Sequence, residues 1–160
     1  ALCIEPGLAD VGSIGDALTT FVPPHHRIEL VAEHAGVRWF DDSKATTPHA
    51  ALTAIRGFEK VVLIAGGRNK GLDLSALAAG ADRITAVVAI GESADDVAAT
   101  FSGLRPVESA SSMVEAVERA AALAGTGDTV LLSPACASFD MFADYQDRGR
   151  QFKALVNELS

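Results

Sequence analysis

The sequence has little positive charge, few cysteines and no long apolar run. Its 160 residues hold 13 lysines and arginines against 21 aspartates and glutamates, for a formal net charge of -8, which argues against nucleic acid or an anionic membrane as the main partner. The two cysteines, Cys3 and Cys136, are too few for a disulfide framework or a zinc site, so they predict a reducing, cytoplasmic setting. No apolar stretch has the length needed to cross a bilayer, and no signal-peptide pattern opens the chain, so no membrane association is expected.

The composition is that of one ordinary globular domain. Hydrophobic residues make up 49% of the chain and charged residues 21%, enough for a substantial core. Residues 1–24 are weakly patterned and end in Pro23-Pro24, a pair that favours an extended connector and predicts a boundary. The first residue is Ala1 rather than Met, and the apolar residues that follow it lead us to expect a piece of a longer protein.

From residue 28 onward, apolar runs alternate with helical patterns. The predicted strands cover residues 28–31, 37–40, 61–65, 84–90, a short segment at Val107, and 129–132, and the predicted helices begin after Thr47 and cover 74–79, 94–101, 113–123 and about 147–159. Such alternation is typical of a parallel sheet with helices on both faces. The expected fold class is α/β, a Rossmann-like three-layer domain with a mostly parallel sheet.

The most informative stretch is D-D-S-K-A-T-T-P-H-A at residues 41–50. A predicted strand ends there in an acid, a hydroxyl and an ammonium group, and a helix starts one turn later. Thr47 can cap that helix and Pro48 fits its first turn. Ligands bind at such strand ends in open α/β sheets. Asp41 and Asp42 suit a metal, a ribose or an ammonium group equally well.

Two further turns follow predicted strands and can be interpreted in two ways. Residues 66–71, G-G-R-N-K-G, would let the backbone and Lys70 approach an anion, or form a glycine-rich turn with a solvated lysine; their spacing matches neither dinucleotide nor P-loop motifs. Residues 133–138, S-P-A-C-A-S, leave room for a ligand, or form a tight turn in which Cys136 is a small buried hydrophobe, the interpretation we favour for Cys136.

The segment that opens the domain, His25-His26-Arg27, also has two interpretations. Adjacent histidines face different ways, so we expect no metal pair there. Arg27 is either a surface charge or a clamp for an anion.

Three segments together carry a family resemblance: H-R-I-E at residues 26–29, D-S-K-A-T at 42–46 and S-P-A-C-A-S-F-D at 133–140, the last continuing through Phe142 and Tyr145 to D-R-G at 147–149 and Phe152. They resemble the Mur ligases, ATP-dependent amide-forming enzymes that build the peptidoglycan precursor, over residues 25–160. D-S-K-A-T is typical of the branch that adds D-glutamate to UDP-MurNAc-L-Ala.

The resemblance implies a place in a three-domain enzyme. Residues 25–160 would be the C-terminal domain, which brings D-glutamate and closes over ATP, and residues 1–24 the remnant of the central ATPase domain and a linker. ATP and its Mg²⁺ would be bound mainly by the central domain, which carries the P-loop, so the 160-residue chain is expected to be inactive alone. Phosphorylation of the UDP-MurNAc-L-Ala carboxylate would precede attack by the D-glutamate amine.

The resemblance also implies roles for four residues toward D-glutamate. Thr46 and Lys70 would hold its α-carboxylate, and Ser138, with the backbone near Tyr145, its side-chain carboxylate. Because a member of the family has phenylalanine at the position of Tyr145, the resemblance is compatible with contact through the backbone N–H or through the ring.

On the ATP side, the resemblance assigns three residues. Arg27 would contact a phosphate and Asp42 the ribose, with Lys44 beside them. It assigns no catalytic residue and no metal ligand to this chain. The alternative hypothesis is a free-standing nucleotide- or anion-binding module without ligase activity, because a fold alone does not fix a function.

Overall fold

The computed structural model describes Gly15 and residues 24–159. The predicted remnant at 1–24 and its boundary lie outside the described residues, apart from Gly15 and Pro24. The strands are β1 (Glu29–His34), β2 (Val37–Asp41), β3 (Val61–Gly66), β4 (Ile84–Ile90), β5 (Val107–Ala110) and β6 (Thr129–Ala135). The helices are α1 (Pro48–Ile55), α2 (Ala94–Phe101), α3 (Met113–Leu123) and α4 (Tyr145–Asn157), with a 3-10 helix at Leu74–Arg83.

The six strands form one sheet in the order β1-β2-β6-β3-β4-β5. β1 and β2 are antiparallel, and the other neighbouring pairs are parallel. The antiparallel pair is joined by Ala35 and Gly36, which both have positive φ, 51° and 76°, as a tight two-residue hairpin turn requires. The predicted mostly parallel sheet is confirmed.

Helices cover both faces of the sheet, so the fold has the three predicted layers. Successive residues of a strand point to opposite faces, and in β3 Leu63 packs on one side and Ile64 on the other. The face of Leu63 carries α1, the 3-10 helix and α2. The face of Ile64 carries α3 and α4, and there the ring of Trp39 lies 6.2 Å from that of Phe152.

Several element boundaries differ from the sequence prediction; β1, for example, ends at His34 rather than at Val31. β6 runs on to Ala135 instead of ending at Leu132. Pro134 is tolerated there because the register between β3 and β6 shifts after Ile64, and a bulge requires no ladder hydrogen bond from the proline. α4 begins two residues earlier than predicted because Asp144 caps it, accepting a bond of 2.7 Å from Asp147 N–H.

The segment predicted as a helix at 74–79 is a 3-10 helix. It packs so tightly that a Cβ at Gly80 would lie 3.0 Å from Leu52 and from Ile55 of α1. Within the described part of the chain, no helix combines the length and apolar character needed to cross a membrane.

Candidate functional site at the carboxyl edge of the sheet

The loops that follow β2 and β3 are hydrogen-bonded to the last residue of β6 and to the loop that follows it, respectively. Ala135 N–H donates to the carbonyl of Ala45 at 2.9 Å, and Arg68 and Ala137 exchange two backbone bonds of 2.8 and 3.1 Å. Since β6 lies between β2 and β3 in the sheet, its loop joins the other two. The loops that carry the predicted site residues therefore form one connected surface at this edge.

The turn after β4 is joined to the same surface. Ser93 N–H donates to the carbonyl of Gly67 at 2.9 Å, and Glu92 N–H donates to Asp140 Oδ2 at 2.9 Å. A Cβ at Gly67 would overlap the carbonyl oxygen of Ala137, so glycine is required where these loops approach each other closely.

Arg27, Asp42 and Lys44 line a single cleft of about 200 Å³. Arg27 is exposed and Lys44 half-buried, so the cleft combines two cationic side chains with one carboxyl group. Its lining also includes Ala50, Thr53 and Ala54 of α1. The structure thus brings together the three residues that the resemblance assigned to ATP. Their role toward ATP stays a prediction.

Asp42 is a buried acid, with 4% of its surface exposed. Its carboxylate accepts hydrogen bonds from Ser133 Oγ at 2.7 Å and from Ile28 N–H at 3.3 Å. Burial, together with the neighbouring charge of Asp41, outweighs these bonds and raises the pKa of Asp42 to about 6. Asp42 is therefore ionised at neutral pH and takes up a proton in mildly acidic solution.

Lys70 and Ser138 lie on two loops that touch each other. Lys70 is exposed, with Nζ 5.9 Å from the centre of the Phe139 ring, and Ser138, the residue before Phe139, is 2% exposed. Thr46 is half-buried and follows Ala45, the residue that bonds the β6 loop. A cation and two hydroxyl groups are thus presented on the connected surface, although their contact with a ligand stays a prediction.

Tyr145 is the first residue of α4 and is engaged in two ways. Its backbone carbonyl accepts a bond of 2.7 Å from Ser43 Oγ, and its ring lies 5.8 Å from Lys44 Nζ. The ring therefore borders the ATP-side residue Lys44, a position that the resemblance did not imply.

Arg148, part of the D-R-G segment at 147–149, is a component of the site to which the sequence assigned no role. It is 1% exposed and donates from Nε to Ser43 Oγ and from Nη2 to the Ser43 carbonyl, both at 2.9 Å. It also donates to the carbonyl of Cys136 at 3.2 Å. Burial lowers the pKa of Arg148 to about 10, so the guanidinium stays charged at neutral pH and links the β2 loop to the β6 loop from α4.

A second feature to which the sequence assigned no role is the set of contacts made by His26, the residue before Arg27. His26 Nδ1 is 2.6 Å from Asp41 Oδ2, and its backbone N–H donates to Glu29 at 3.0 Å, while its carbonyl accepts from Lys44 N–H at 3.0 Å. His26, Glu29 and Asp41 also have the spacing of a metal cluster. His26 Nδ1 and Asp41 Oδ2 are hydrogen-bonded to each other, and the Glu29 carboxylate accepts from the His26 backbone N–H and from Lys153, so we interpret the cluster as a support for the cleft residues.

Cys136 is buried, with 2% exposure, and burial raises the pKa of its thiol. A raised pKa keeps the sulfur protonated and unreactive. The interpretation of Cys136 as a small buried hydrophobe is confirmed.

Comparison with known proteins agrees with the fold and with the family resemblance. A family model described as the Mur ligase glutamate ligase domain matches residues 26–136. A UDP-N-acetylmuramoylalanine--D-glutamate ligase from Frankia casuarinae is 53% identical over 148 residues, which are 90% of this chain and 31% of that protein. The ligase of the same name from Chlorobaculum tepidum is 49% identical over 145 residues, 89% of this chain and 31% of that protein.

The chain therefore spans about a third of the length of the curated relatives it matches. Among solved structures, the UDP-N-acetylmuramate-alanine ligase MurC of Thermotoga maritima aligns with a TM-score of 0.64 at 18% identity, over 98% of this chain and 35% of that one. The bifunctional folylpolyglutamate synthase/dihydrofolate synthase of Yersinia pestis aligns with a TM-score of 0.64 at 20% identity, over 92% of this chain and 34% of that one. At these identities the two structures support the fold alone.

Proposed function

The chain belongs to the Mur ligase family, and from that premise we propose that it is the domain that presents D-glutamate and closes over ATP in a ligase joining D-glutamate to UDP-MurNAc-L-Ala. The names and identities of the relatives from Frankia and Chlorobaculum support the choice of D-glutamate. They also favour this proposal over a free-standing anion-binding module. Cytoplasmic location is part of the proposal and rests on the two-cysteine composition.

In the proposed reaction, ATP transfers its terminal phosphoryl group to the carboxylate of UDP-MurNAc-L-Ala. The amine of D-glutamate then attacks the acyl phosphate, the new C–N bond forms, and phosphate leaves. Phosphoryl transfer depends mainly on positioning and charge neutralisation. The contribution of this chain is to hold D-glutamate in place and to complete the ATP site when the domains meet.

The charge of the ligand argues for the carboxyl edge as the D-glutamate site. D-glutamate carries two carboxylates, and a chain with a net charge of -8 repels it unless cations and hydrogen-bond donors converge. Lys70 supplies the cation, and Thr46 and Ser138 supply hydroxyl donors on the connected loops. In this assignment Thr46 and Lys70 bind the α-carboxylate, and Ser138 with the segment at Tyr145 binds the other.

The chemistry of the cleft fits part of a nucleotide. Arg27 and Lys44 are donors for phosphate oxygens, and the Asp42 carboxylate is an acceptor for ribose hydroxyls. A related Yersinia protein has been solved with AMPPNP and a manganese ion. In our proposal the Mg²⁺ that accompanies ATP is bound mainly by the central domain, and the carboxylates of Glu29 and Asp41 in this chain are hydrogen-bonded to His26.

The single observation that carries the proposal is that Arg27, Asp42 and Lys44 share one cleft at the sheet edge that also carries Lys70 and Ser138. Two chemically different sets of groups, one suited to a nucleotide and one to a dicarboxylate, lie on adjoining loops. A ligase that joins an amino acid to an activated carboxylate needs both.

The experiment is steady-state kinetics on the full-length ligase with Lys70→Ala. Loss of a charge-assisted contact to a carboxylate costs about 1.5–3 kcal/mol, so the KM for D-glutamate should rise by roughly 10- to 100-fold while the KM for ATP changes little. The matched control is Lys60→Ala, an exposed lysine just before β3 at the opposite edge. Equal D-glutamate KM values for the two variants would overturn the assignment.

A further inference from the structure

Two lysines of the candidate site lie over aromatic rings. Lys44 Nζ is 5.8 Å from the centre of the Tyr145 ring, and Lys70 Nζ is 5.9 Å from the centre of the Phe139 ring. Within the part of the chain that the structure describes, neither Lys44 nor Lys70 pairs with a carboxylate. The lysine of α4, Lys153, does form such a pair. The two lysines assigned to ligands are therefore held by rings and not by acids.

The lack of a carboxylate partner is informative in a chain of this charge. Aspartates and glutamates outnumber lysines and arginines by 21 to 13, so a surface cation has ample acids to pair with. A carboxylate beside the ammonium group would cancel its charge and compete with an anionic ligand. The face of an aromatic ring attracts a cation without carrying a net charge. A lysine held in this way keeps its positive charge for a phosphate or a carboxylate.

The Tyr145 ring is held by contacts on both its backbone and its side chain. The Tyr145 carbonyl accepts a bond of 2.7 Å from Ser43 Oγ, and the ring lies nearly perpendicular to that of His26, with 6.1 Å between the ring centres. The Lys44 backbone is also fixed, because its N–H donates to the His26 carbonyl at 3.0 Å. Both Lys44 and Tyr145 are half-buried. The ring face therefore sets where the Lys44 ammonium group lies in the cleft.

Phe139 has the same relation to Lys70 on the D-glutamate side. It follows Ser138, and 57% of its surface is exposed, so its ring contributes little to the core. The loop of Phe139 and the loop of Lys70 exchange two backbone hydrogen bonds through Arg68 and Ala137, which keep the ring and the ammonium group close together. Contact with Lys70 explains why an aromatic side chain is exposed at this position.

We propose that Tyr145 and Phe139 are positioning residues of the ligase, whose rings hold the ammonium groups of Lys44 and Lys70 for an ATP phosphate and a D-glutamate carboxylate without neutralising them. Holding a long side chain in its bound position reduces the entropy lost when the ligand binds. The inference rests on the proposed function, from which it takes the two ligand assignments. It gives the two parts of Tyr145 different roles, with the ring on the ATP side and the backbone on the D-glutamate side.

Steady-state kinetics of the full-length ligase tests the proposal with one substitution at each ring. Tyr145→Leu keeps the backbone and removes the ring, so the KM for ATP should rise about 3- to 10-fold while the KM for D-glutamate is unchanged. Phe139→Leu should do the reverse and raise the KM for D-glutamate about 2- to 5-fold, a smaller effect because this ring is exposed. Tyr145→Phe and Phe139→Tyr keep a ring and should match the parent enzyme.

The variants Lys44→Ala and Lys70→Ala separate failure of this proposal from failure of the proposed function. If the alanine variants raise the two KM values and the leucine variants do not, the rings have no positioning role and the proposal is overturned. If the alanine variants also leave both KM values unchanged, the ligand assignments fail and the proposal fails with them. Equal changes of both KM values in each leucine variant would indicate a general structural role and would overturn it too.

A measurement without substrates tests the two contacts themselves. Protons over the face of an aromatic ring are shifted upfield in NMR spectra. In the 160-residue chain labelled with ¹³C-lysine, the ε-methylene signal of Lys44 should therefore move downfield in Tyr145→Leu, and that of Lys70 in Phe139→Leu. The signal of Lys60, at the opposite edge of the sheet, should stay in place in both variants. A leucine variant that leaves the signal of its own lysine unchanged would overturn the proposal.

Discussion

Replacing Arg148 with methionine should loosen the candidate site and destabilise the fold together. Arg148 joins Ser43 of the β2 loop to Cys136 of the β6 loop, and these loops carry the residues assigned to both ligands. Methionine has a similar length and no charge, so it fills the space without leaving an unpaired ion. The substitution removes the donor of three acceptors: the carbonyls of Ser43 and Cys136, and Ser43 Oγ, which keeps its own bond to the Tyr145 carbonyl.

The magnitude follows from those contacts. Hydrogen bonds to a charged group contribute about 1.5–3 kcal/mol each. Burial of the charge opposes this gain, as the lowering of the Arg148 pKa to about 10 indicates. We expect a net loss of about 2–4 kcal/mol in the free energy of unfolding, as is usual when a buried polar network is broken. For a chain of this size that corresponds to a fall in Tm of roughly 5–15 °C.

Thermal unfolding of the 160-residue chain measures the loss, with Arg150→Met as the control. Arg150 lies two residues along α4, its side chain is 62% exposed and its ion pair with Asp147 lies on the surface, so its removal should cost less than about 1 kcal/mol. Hydrogen exchange adds a local measurement: the amide of Ala135, which bonds Ala45, should lose protection. A Tm for Arg148→Met within about 2 °C of the parent would refute the role of Arg148 as a link between the loops.

Two further predictions concern buried residues near the cleft, Asp42 and Gly149. Because the folded-state pKa of Asp42, about 6, lies above its ordinary value of 3.8, protonation of Asp42 stabilises the fold at low pH, and this contribution is lost as the pH rises through about 6. The free energy of unfolding of Asp42→Asn, relative to that of the parent, should therefore increase by on the order of 2 kcal/mol between about pH 4 and pH 7. Urea titrations of both proteins measure this difference, and a difference that stays constant with pH would contradict the prediction. Gly149→Ala should lower the free energy of unfolding by about 2 kcal/mol, because the added methyl group would overlap His26 Nδ1 and lie 2.7 Å from Asp41 Oδ2. Gly125→Ala is the control: the nearest atom to its added methyl group would be 3.8 Å away, so thermal unfolding should show little change in its stability.

Much of the fold could be predicted from the sequence because the central strands β3 and β4 are runs of mostly apolar residues. Ile84–Ile90 and Val61–Gly66 lie almost where the pattern indicates, since glycine follows or ends each run. The extension of β6 to Ala135 could not be predicted, because Pro134 usually ends a strand. Its tolerance depends on a register shift against β3, which is a property of the assembled sheet.

The meeting of the loops after β2, β3 and β6 could also be predicted, because parallel strands end at one edge of a sheet. The link through Arg148 was not, because its partner Ser43 is 105 residues away in the sequence. The support of the cleft by His26 also depends on contacts across chain segments, in which Gly149 of α4 leaves room for the histidine ring. Local patterns contain no signal for such pairs.

The most direct test of the central claim is a titration of the ¹⁵N-labelled chain with D-glutamate and, separately, with L-glutamate. The account predicts that D-glutamate at high concentration shifts the amide signals around Thr46, Lys70 and Ser138, since all three lie on the connected loops, and that L-glutamate shifts them less. Shifts scattered over other parts of the chain, or equal responses to the two enantiomers, would contradict the assignment of the carboxyl edge as the D-glutamate site.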